Sequence, residues 1–283
     1  MKKILVPTDF SKNATAATDI AFDIAKKSGA SIVLLHVIDQ ISGAGSFNVE
    51  GQVGGADLGQ KLFNMKMIQK AKAQLEKVVR DPKYADVKVD GELRMGNAYH
   101  GMITIITEKK VDLVVMGTAG KQNSTDLLGS NTERVIRHSN CPVLTLKDKP
   151  STTNFKNIVY ATSMSRGEEV FSRIVKRTQA IYDSTIHIVR VNAPGNFQQD
   201  HVVKNYMNEF AKKLGFKNFT LNIYNDLTIE EGVIRFADSI NADLIAMATH
   251  GRSGFAHVVA GSVAEEVAGH TKRPVLTFVV KDR

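Results

Sequence analysis

One stretch of this chain is written twice. Residues Val114 to Leu146 read VVMGTAGKQNSTDLLGSNTERVIRHSNCPVLTL, and the same order returns near the end as LIAMATHGRSGFAHVVAGSVAEEVAGHTKRPVLTF. Gly120 answers to Gly251, Gly129 and Ser130 to Gly261 and Ser262, Glu133 to Glu265, Val135 to Val267, His138 to His270, and PVLT at 142 to PVLT at 274. The match runs upstream, where GMITIITEKKVDLVVMGTAG faces GVIRFADSINADLIAMATHG, and includes the two starts, KKILVPTDFS and KNIVYATSMS. A repeat this long is the duplication of a whole domain, because solenoid units recur every 20–50 residues or so. The expected organisation is a domain over 1–147, a polar linker over 148–156, and a like domain over 157–283.

Within each copy, short β-rich runs alternate with helical patterns. The first copy predicts strands at Ile4 to Val6, Ser31 to Val37, Val87 to Leu93, Leu113 to Met116 and Val143 to Leu146. Between them lie helices with apolar faces at Ala17, Ile20, Ala21, Ile24 and Ala25, at Met67, Ile68, Ala71, Leu75 and Val78, at Ile103 and Ile106, and at Val135. The strands are nearly continuous apolar runs, as they must be when helices cover both faces of a sheet. The fold class is therefore α/β, with two tandem Rossmann-like domains, each a five-stranded parallel sheet. Ligands of such sheets sit at the carboxyl ends of the strands, where strand order reverses. Between the second strand and the next helix the first copy carries a longer Gly-rich insert, SGAGSFNVEGQVGGADLG, which reads as a loop beside that edge. Phe63, Met65 and Met67 follow it at helical spacing and read as core. The closing runs PVLTL and PVLTFVV would be hazardous as bare sheet edges, so the two domains are expected to pack through them as a pseudo-dimer, with a homodimer of whole chains as a further possibility.

Composition removes other classes. A chain of 283 residues, 43% hydrophobic and 23% charged, can bury a sizeable core. Its apolar runs fall short of a membrane span, and MKKILVPTDFS lacks the apolar stretch of a signal peptide, so a cytoplasmic protein without membrane contact is expected. The single cysteine, Cys141, allows no internal disulfide and reads as a buried thiol. The net charge of +8 is spread over scattered lysine pairs with no interleaved aromatics, which argues against a nucleic-acid partner. None of the eight histidines forms a close ligand pair with a carboxylate, so no protein-held metal is expected.

The glycines carry the chemistry. In the second copy THG ends a strand, nine residues intervene between Gly251 and Gly261, and Gly261-Ser262 open a helix. Glycines at a strand end let backbone approach a ligand, and the free N–H groups of the next helix suit phosphate oxygens, with the serine hydroxyl as a further donor. On spacing alone, tight turns without a ligand are an alternative.

ILVPTDFS, LLHV, VDLVVMG, THGRSG, GSVAEEV and the closing CPVLTL or RPVLTF, in that order, resemble the universal stress protein family in tandem form, over nearly the whole chain. The resemblance implies an adenine-nucleotide fold whose ATP-binding members hold phosphates and ribose on the two glycine segments, with an early aspartate and the backbone after the second strand at the adenosine end. Carried onto this sequence it implies, in the first copy, Pro7, Thr8, Asp9, Val37, Met116, Gly117, Gly120, Gly129, Ser130 and Asn131. In the second it implies Ala161, Thr162, Ser163, Val191, Met247, Ala248, His250, Gly251, Arg252, Gly261, Ser262 and Val263. ATP, with any Mg²⁺ it brings, is the implied ligand, and stress sensing by a binding module the implied role.

Each copy departs from the pattern. Only eight residues separate Gly120 from Gly129, and Ala119 stands where the second copy has His250. The second copy keeps the full spacing but has Ser163 for the aspartate and Ala248 for the first glycine. The intact spacing favours the second copy for phosphate contact. No catalytic residue is identified: paired carboxylates and a Walker lysine pattern are both missing, so at most a slow ATPase is expected. The alternative is a partner-binding protein with degraded pockets.

Overall fold

The computed structural model describes residues 1–39, 56–118, 128–165, 167–250 and 263–280, without the side chains of 56–61 and 250. The first half runs β1 (Lys3–Pro7), α1 (Lys12–Ser28), β2 (Ser31–Ile38), α2 (Ala56–Val79), β3 (Val89–Met95), α3 (Ala98–Glu108), β4 (Leu113–Gly117), α4 (Ser130–His138) and β5 (Val143–Leu146). The second half repeats the order as β6 (Asn157–Ala161), α5 (Glu168–Tyr182), β7 (Thr185–Asn192), α6 (Asp200–Leu214), β8 (Phe219–Asn225), α7 (Ile229–Ser239), β9 (Leu244–His250), α8 (Val263–His270) and β10 (Val275–Val280). Alternate strand residues feed opposite cores. Ile4, Val6, Ile32 and Leu34 pack with α1, α2, α5 and α6 on one face of the sheet. Leu5, Val33, Leu35 and Val114 pack with α3, α4, α7 and α8 on the other.

The strands form a single ten-stranded sheet in the order β3-β2-β1-β4-β5-β10-β9-β6-β7-β8. All pairs within a half are parallel, and β5 meets β10 antiparallel, with Thr145 opposite Val275 and Thr277 opposite Val143. The repeated PVLT thus explains itself. Thr145 Oγ1 donates to the Val275 carbonyl and Thr277 Oγ1 to the Val143 carbonyl, both at 3.3 Å, so one threonine from each half seals the seam with the same bond. The expected packing through the closing strands is present, and it covers two edges that would otherwise be open to other chains. Because the junction is antiparallel, the carboxyl ends of the first half's strands and those of the second lie at opposite ends of the sheet.

A second twin pair anchors each half. Asp112 Oδ2 accepts the backbone N–H groups of Lys2 (2.6 Å) and Lys3 (3.0 Å), and Asp243 Oδ2 accepts that of Asn157 at 2.8 Å. These aspartates, just ahead of β4 and β9, tie down the starts of β1 and β6. Arg137 of α4 reaches across the seam to the buried Glu265 of α8 through two bonds of 3.2 and 2.6 Å.

Three expectations need correction. Phe63, Met65 and Met67 are exposed, because the N-terminal turns of α2 extend past the core and this helix buries only Ala71 and Leu75 among its described side chains. The helix also begins at Ala56, inside the segment read as a Gly-rich insert, whose residues 42–55 lie outside the described residues. The third strand is shifted toward Met95. Cys141 is buried as expected, and burial pushes its thiol up to about 11. Among the described residues no helix is long and apolar enough to cross a membrane.

Candidate functional site

In the first half, strand order reverses between β1, whose crossover leads to β2, and its other neighbour β4. The chain leaves β1 through a tight turn. Thr8 N–H donates to the Leu35 carbonyl (2.8 Å), Thr8 Oγ1 accepts from Phe10 N–H (3.0 Å), and Asp9 Oδ1 accepts from Ser11 N–H (2.9 Å). Phe10 takes a left-handed φ of 63°, a conformation that costs a non-glycine residue energy, and Met164 repeats it with φ 60°. The turn presents the exposed Asp9, and Ser11 caps α1 by accepting from Ala14 N–H at 3.2 Å. Pro7 closes β1 and Met116 is buried beneath the edge.

The two described glycines of the first half's segment have different jobs. A Cβ on Gly117 would fall on the Asn13 carbonyl, and Asn13 Nδ2 donates to the Thr118 carbonyl at 2.7 Å. Gly117 is therefore glycine because α1 lies against it. Gly129 is the N-cap of α4 with no side-chain cap, and a Cβ there would meet no described atom within 4 Å. Among the described residues nothing covers the first turn of α4, with Ser130 and Asn131, and none accepts from its leading N–H groups, the arrangement an anion needs. Gly120 lies outside the described residues.

Val37, on β2, sits under α3, whose Gly101 would carry a Cβ only 3.0 Å from Val37 Cγ2. Val191 on β7 meets Gly232 of α7 in the same way, at 2.5 Å. A glycine in each of these helices therefore brings the helix close to the second strand. Spacing did not single these residues out, although both open their repeated segment, G-M-I-T and G-V-I-R.

The second half differs at its edge. Ala161 and Thr162 are buried at the end of β6, where Thr162 N–H donates to the Val189 carbonyl at 3.1 Å. Beside them lies a carboxylate with no counterpart in the first half, Glu168, only 1% exposed. Glu168 accepts from Tyr160 OH (2.8 Å), Thr162 Oγ1 (2.7 Å) and Ser165 N–H (3.0 Å), with Ser163 Oγ 3.5 Å away. Burial, with Glu168 beside it, holds the Tyr160 phenol well above its ordinary range. Counting from Thr8 and Thr162, Glu168 replaces Ala14 and Gly167 replaces Asn13. Ala248, in place of Gly117, packs partly buried against the α5 side of the core, and Met247 is buried. Val263 opens α8. The backbone of His250 ends β9, whereas Gly251, Arg252, Gly261 and Ser262 lie outside the described residues. Glu168 was missed because its sequence signal, one acid of a pair at a helix start, is that of an ordinary exposed first-turn residue.

The model of the universal stress protein family matches residues 1–147 and 226–279, more than half of the chain. The chain belongs to the universal stress protein family. It is 26% identical over 296 residues to Universal stress protein Slr1230 of Synechocystis, covering 98% of this chain and 100% of that one. It is 34% identical over 157 residues to Universal stress protein MJ0577 of Methanocaldococcus jannaschii, covering 53% of this chain and 97% of that shorter relative. A crystal structure of a universal stress protein from Archaeoglobus fulgidus superposes with a TM-score of 0.77 at 22% identity, covering 99% of this chain and 97% of that one, and so shares the fold. Tandem universal stress protein domains thus account for the duplicated sequence and the ten-stranded sheet.

Proposed function

We propose that this universal stress protein is a cytoplasmic binding module that senses an adenine nucleotide, and that the first half is its ATP site. The observation that carries this is the mouth of α4: an N-terminus without a side-chain cap, whose Gly129 has no described atom against it. Phosphate oxygens would be held by the backbone N–H groups of Gly129, Ser130 and Asn131 and by the Ser130 hydroxyl, with Gly120 supplying the other segment. Asp9 would take the ribose hydroxyls and the Val37 backbone the adenine edge, with Pro7, Thr8, Met116 and Gly117 shaping the floor. Any Mg²⁺ would arrive with the nucleotide. Hydrolysis is expected to be at most slow, because the glycine segments carry neither paired carboxylates nor a Walker lysine pattern.

The preference for the second half drawn from loop spacing gives way to its edge chemistry. Glu168 already uses the donors of Thr162, Ser163 and Ser165, and a buried carboxylate there opposes a polyanion. That observation favours, for the second half, the alternative of a pocket no longer used for nucleotide. In the reading proposed, the domains span 1–147 and 157–283, joined by 148–156, and association of whole chains is a further step.

The test is to denature freshly purified protein and identify the released nucleotide by mass, for wild type and for Gly129→Asp and Gly261→Asp. Aspartate is a good N-cap, so Gly129→Asp keeps α4 while placing a negative charge in the anion site. ATP should be released from wild type and Gly261→Asp and be lost from Gly129→Asp. The reverse pattern would move the site to the second half. No nucleotide from wild type, with no binding of added ATP, would favour the partner-binding alternative.

A further inference from the structure

On the face of the second half that carries α5 and α6, opposite the face that carries α8, lies an open pocket of about 570 Å³. Its volume is in the range of small-molecule sites. Arg190 forms part of its wall. Strand alternation places this residue there: Ile186 and Ile188 of β7 point into the α5–α6 core, and Arg190 is next on the same side. It is only 9% exposed. Its Nη1 makes one long bond, 3.4 Å, to the Ser163 carbonyl, and its buried Nε has no hydrogen-bond partner. Among the described residues no carboxylate pairs with it, and burial alone draws the guanidinium below its ordinary range.

A buried guanidinium with an unused donor is costly, and proteins normally pair such a group. The rest of the cavity indicates what would pair it. Lys213 is already held by Glu169 at 2.6 Å and Glu209 is exposed, so Arg190 is the buried charge of the lining with no ion-pair partner among the described residues. Phe210 and Tyr206 add aromatic surface, and Tyr206 is 61% exposed for a side chain of its size. Among the described residues the first half has no equivalent. His36, the matching residue of β2, spends its Nδ1 on the Thr8 carbonyl at 2.7 Å and packs on Phe10 with ring centroids 4.6 Å apart.

We propose that this cavity binds a small organic oxyanion, a carboxylate or phosphate carried on a flat apolar body, with Arg190 gripping the anionic head and Tyr206 and Phe210 covering the body. The site lies on the face opposite α8, in the other half from the proposed ATP site, and does not depend on nucleotide binding there. It gives the second half a ligand of its own, so that one chain reads two different molecules.

The probes are phenyl phosphate, benzoate and inorganic phosphate, titrated calorimetrically against wild type, Arg190→Met, Tyr206→Ser and Gly129→Asp. At least one aromatic oxyanion should bind saturably to wild type, and whichever head is preferred identifies the ligand class. Arg190→Met should weaken it about tenfold or more, the worth of a charge-assisted pair. Tyr206→Ser, at an exposed position that leaves folding intact, should weaken the aromatic probe about threefold and leave inorganic phosphate unchanged. Gly129→Asp should change nothing here while abolishing ATP release. No saturable binding of any probe, equal affinity in Arg190→Met, or loss in Gly129→Asp would overturn the proposal, the last by merging this site with the nucleotide site.

Discussion

The two halves share strand order, anchoring aspartates and the seam threonine, yet they treat the same spot on the sheet edge in opposite ways. After the first strand the first half places Ala14, which brings no charge to the edge. The second half places Glu168, and three donors are drawn inward onto it. On the second strand the first half satisfies His36 locally, whereas the second leaves Arg190 with a spare donor. Duplication preserved what each sheet needs to fold and released what each edge needs to bind. A framework shared this closely allows differences in stability and in binding to be assigned to single side chains.

The comparison can be broken at several points. Glu168→Ala should have the largest effect, because it strands the Tyr160 hydroxyl, the Thr162 hydroxyl and the Ser165 N–H together. A loss of about 3 kcal/mol in urea unfolding is expected, against about 1 kcal/mol for Asn13→Ala, which removes a single bond in the first half. Equal losses would mean that Glu168 is not the internal ligand of its edge. Alanine in place of the helix glycines should come next, and unequally. Gly232→Ala meets Val191 at 2.5 Å and should cost about 1–3 kcal/mol, while Gly101→Ala meets Val37 at 3.0 Å and should cost less. Thermal melts of the two variants read this difference directly.

Arg137→Ala probes the seam between the halves. It removes the two bonds Arg137 makes to the buried Glu265, and a loss of about 1–2 kcal/mol is expected, tempered because Arg137 itself is about half exposed. Separate unfolding of the halves in that variant alone would show that this pair, more than the β5–β10 ladder, couples them. The smallest effect is that of pH on His187, which bonds Thr220 and Asn157 and whose imidazole burial holds below its ordinary value of 6.5. The unfolded chain then takes up the proton more readily than the folded one. Stability is fully present above about pH 6.5 and is lost as pH falls through the lowered folded value. The urea midpoint should drop on acidification by less in His187→Gln than in wild type, and parallel curves would remove His187 as the cause.

How far the sequence reaches depends on the range of the forces involved. The internal match, the alternation of strand and helix periods, and the need to cover apolar closing strands were legible without coordinates, because each is written in residues close together in the chain. The register of Thr145 on Val275 and Thr277 on Val143 turns the last of these into a definite seam. The glycines were only half legible. Gly117 and Gly129 look alike in the motif, but one makes room for the Asn13 carbonyl and the other has no described atom against it. The N-terminal face of α2 misled for a related reason: its spacing is that of a buried face, but no sheet lies beneath those turns.

By itself, then, the sequence determined a duplicated α/β chain of the universal stress protein family, with its strands and most of its helices. Only the tertiary structure decided that Glu168 turns inward, that Arg190 stands buried with a free donor in a cavity, and that the two edges face opposite ways. The physical reason is that periodicity is a local property of the chain. Whether a charge or a glycine is satisfied depends on groups brought to it from distant segments.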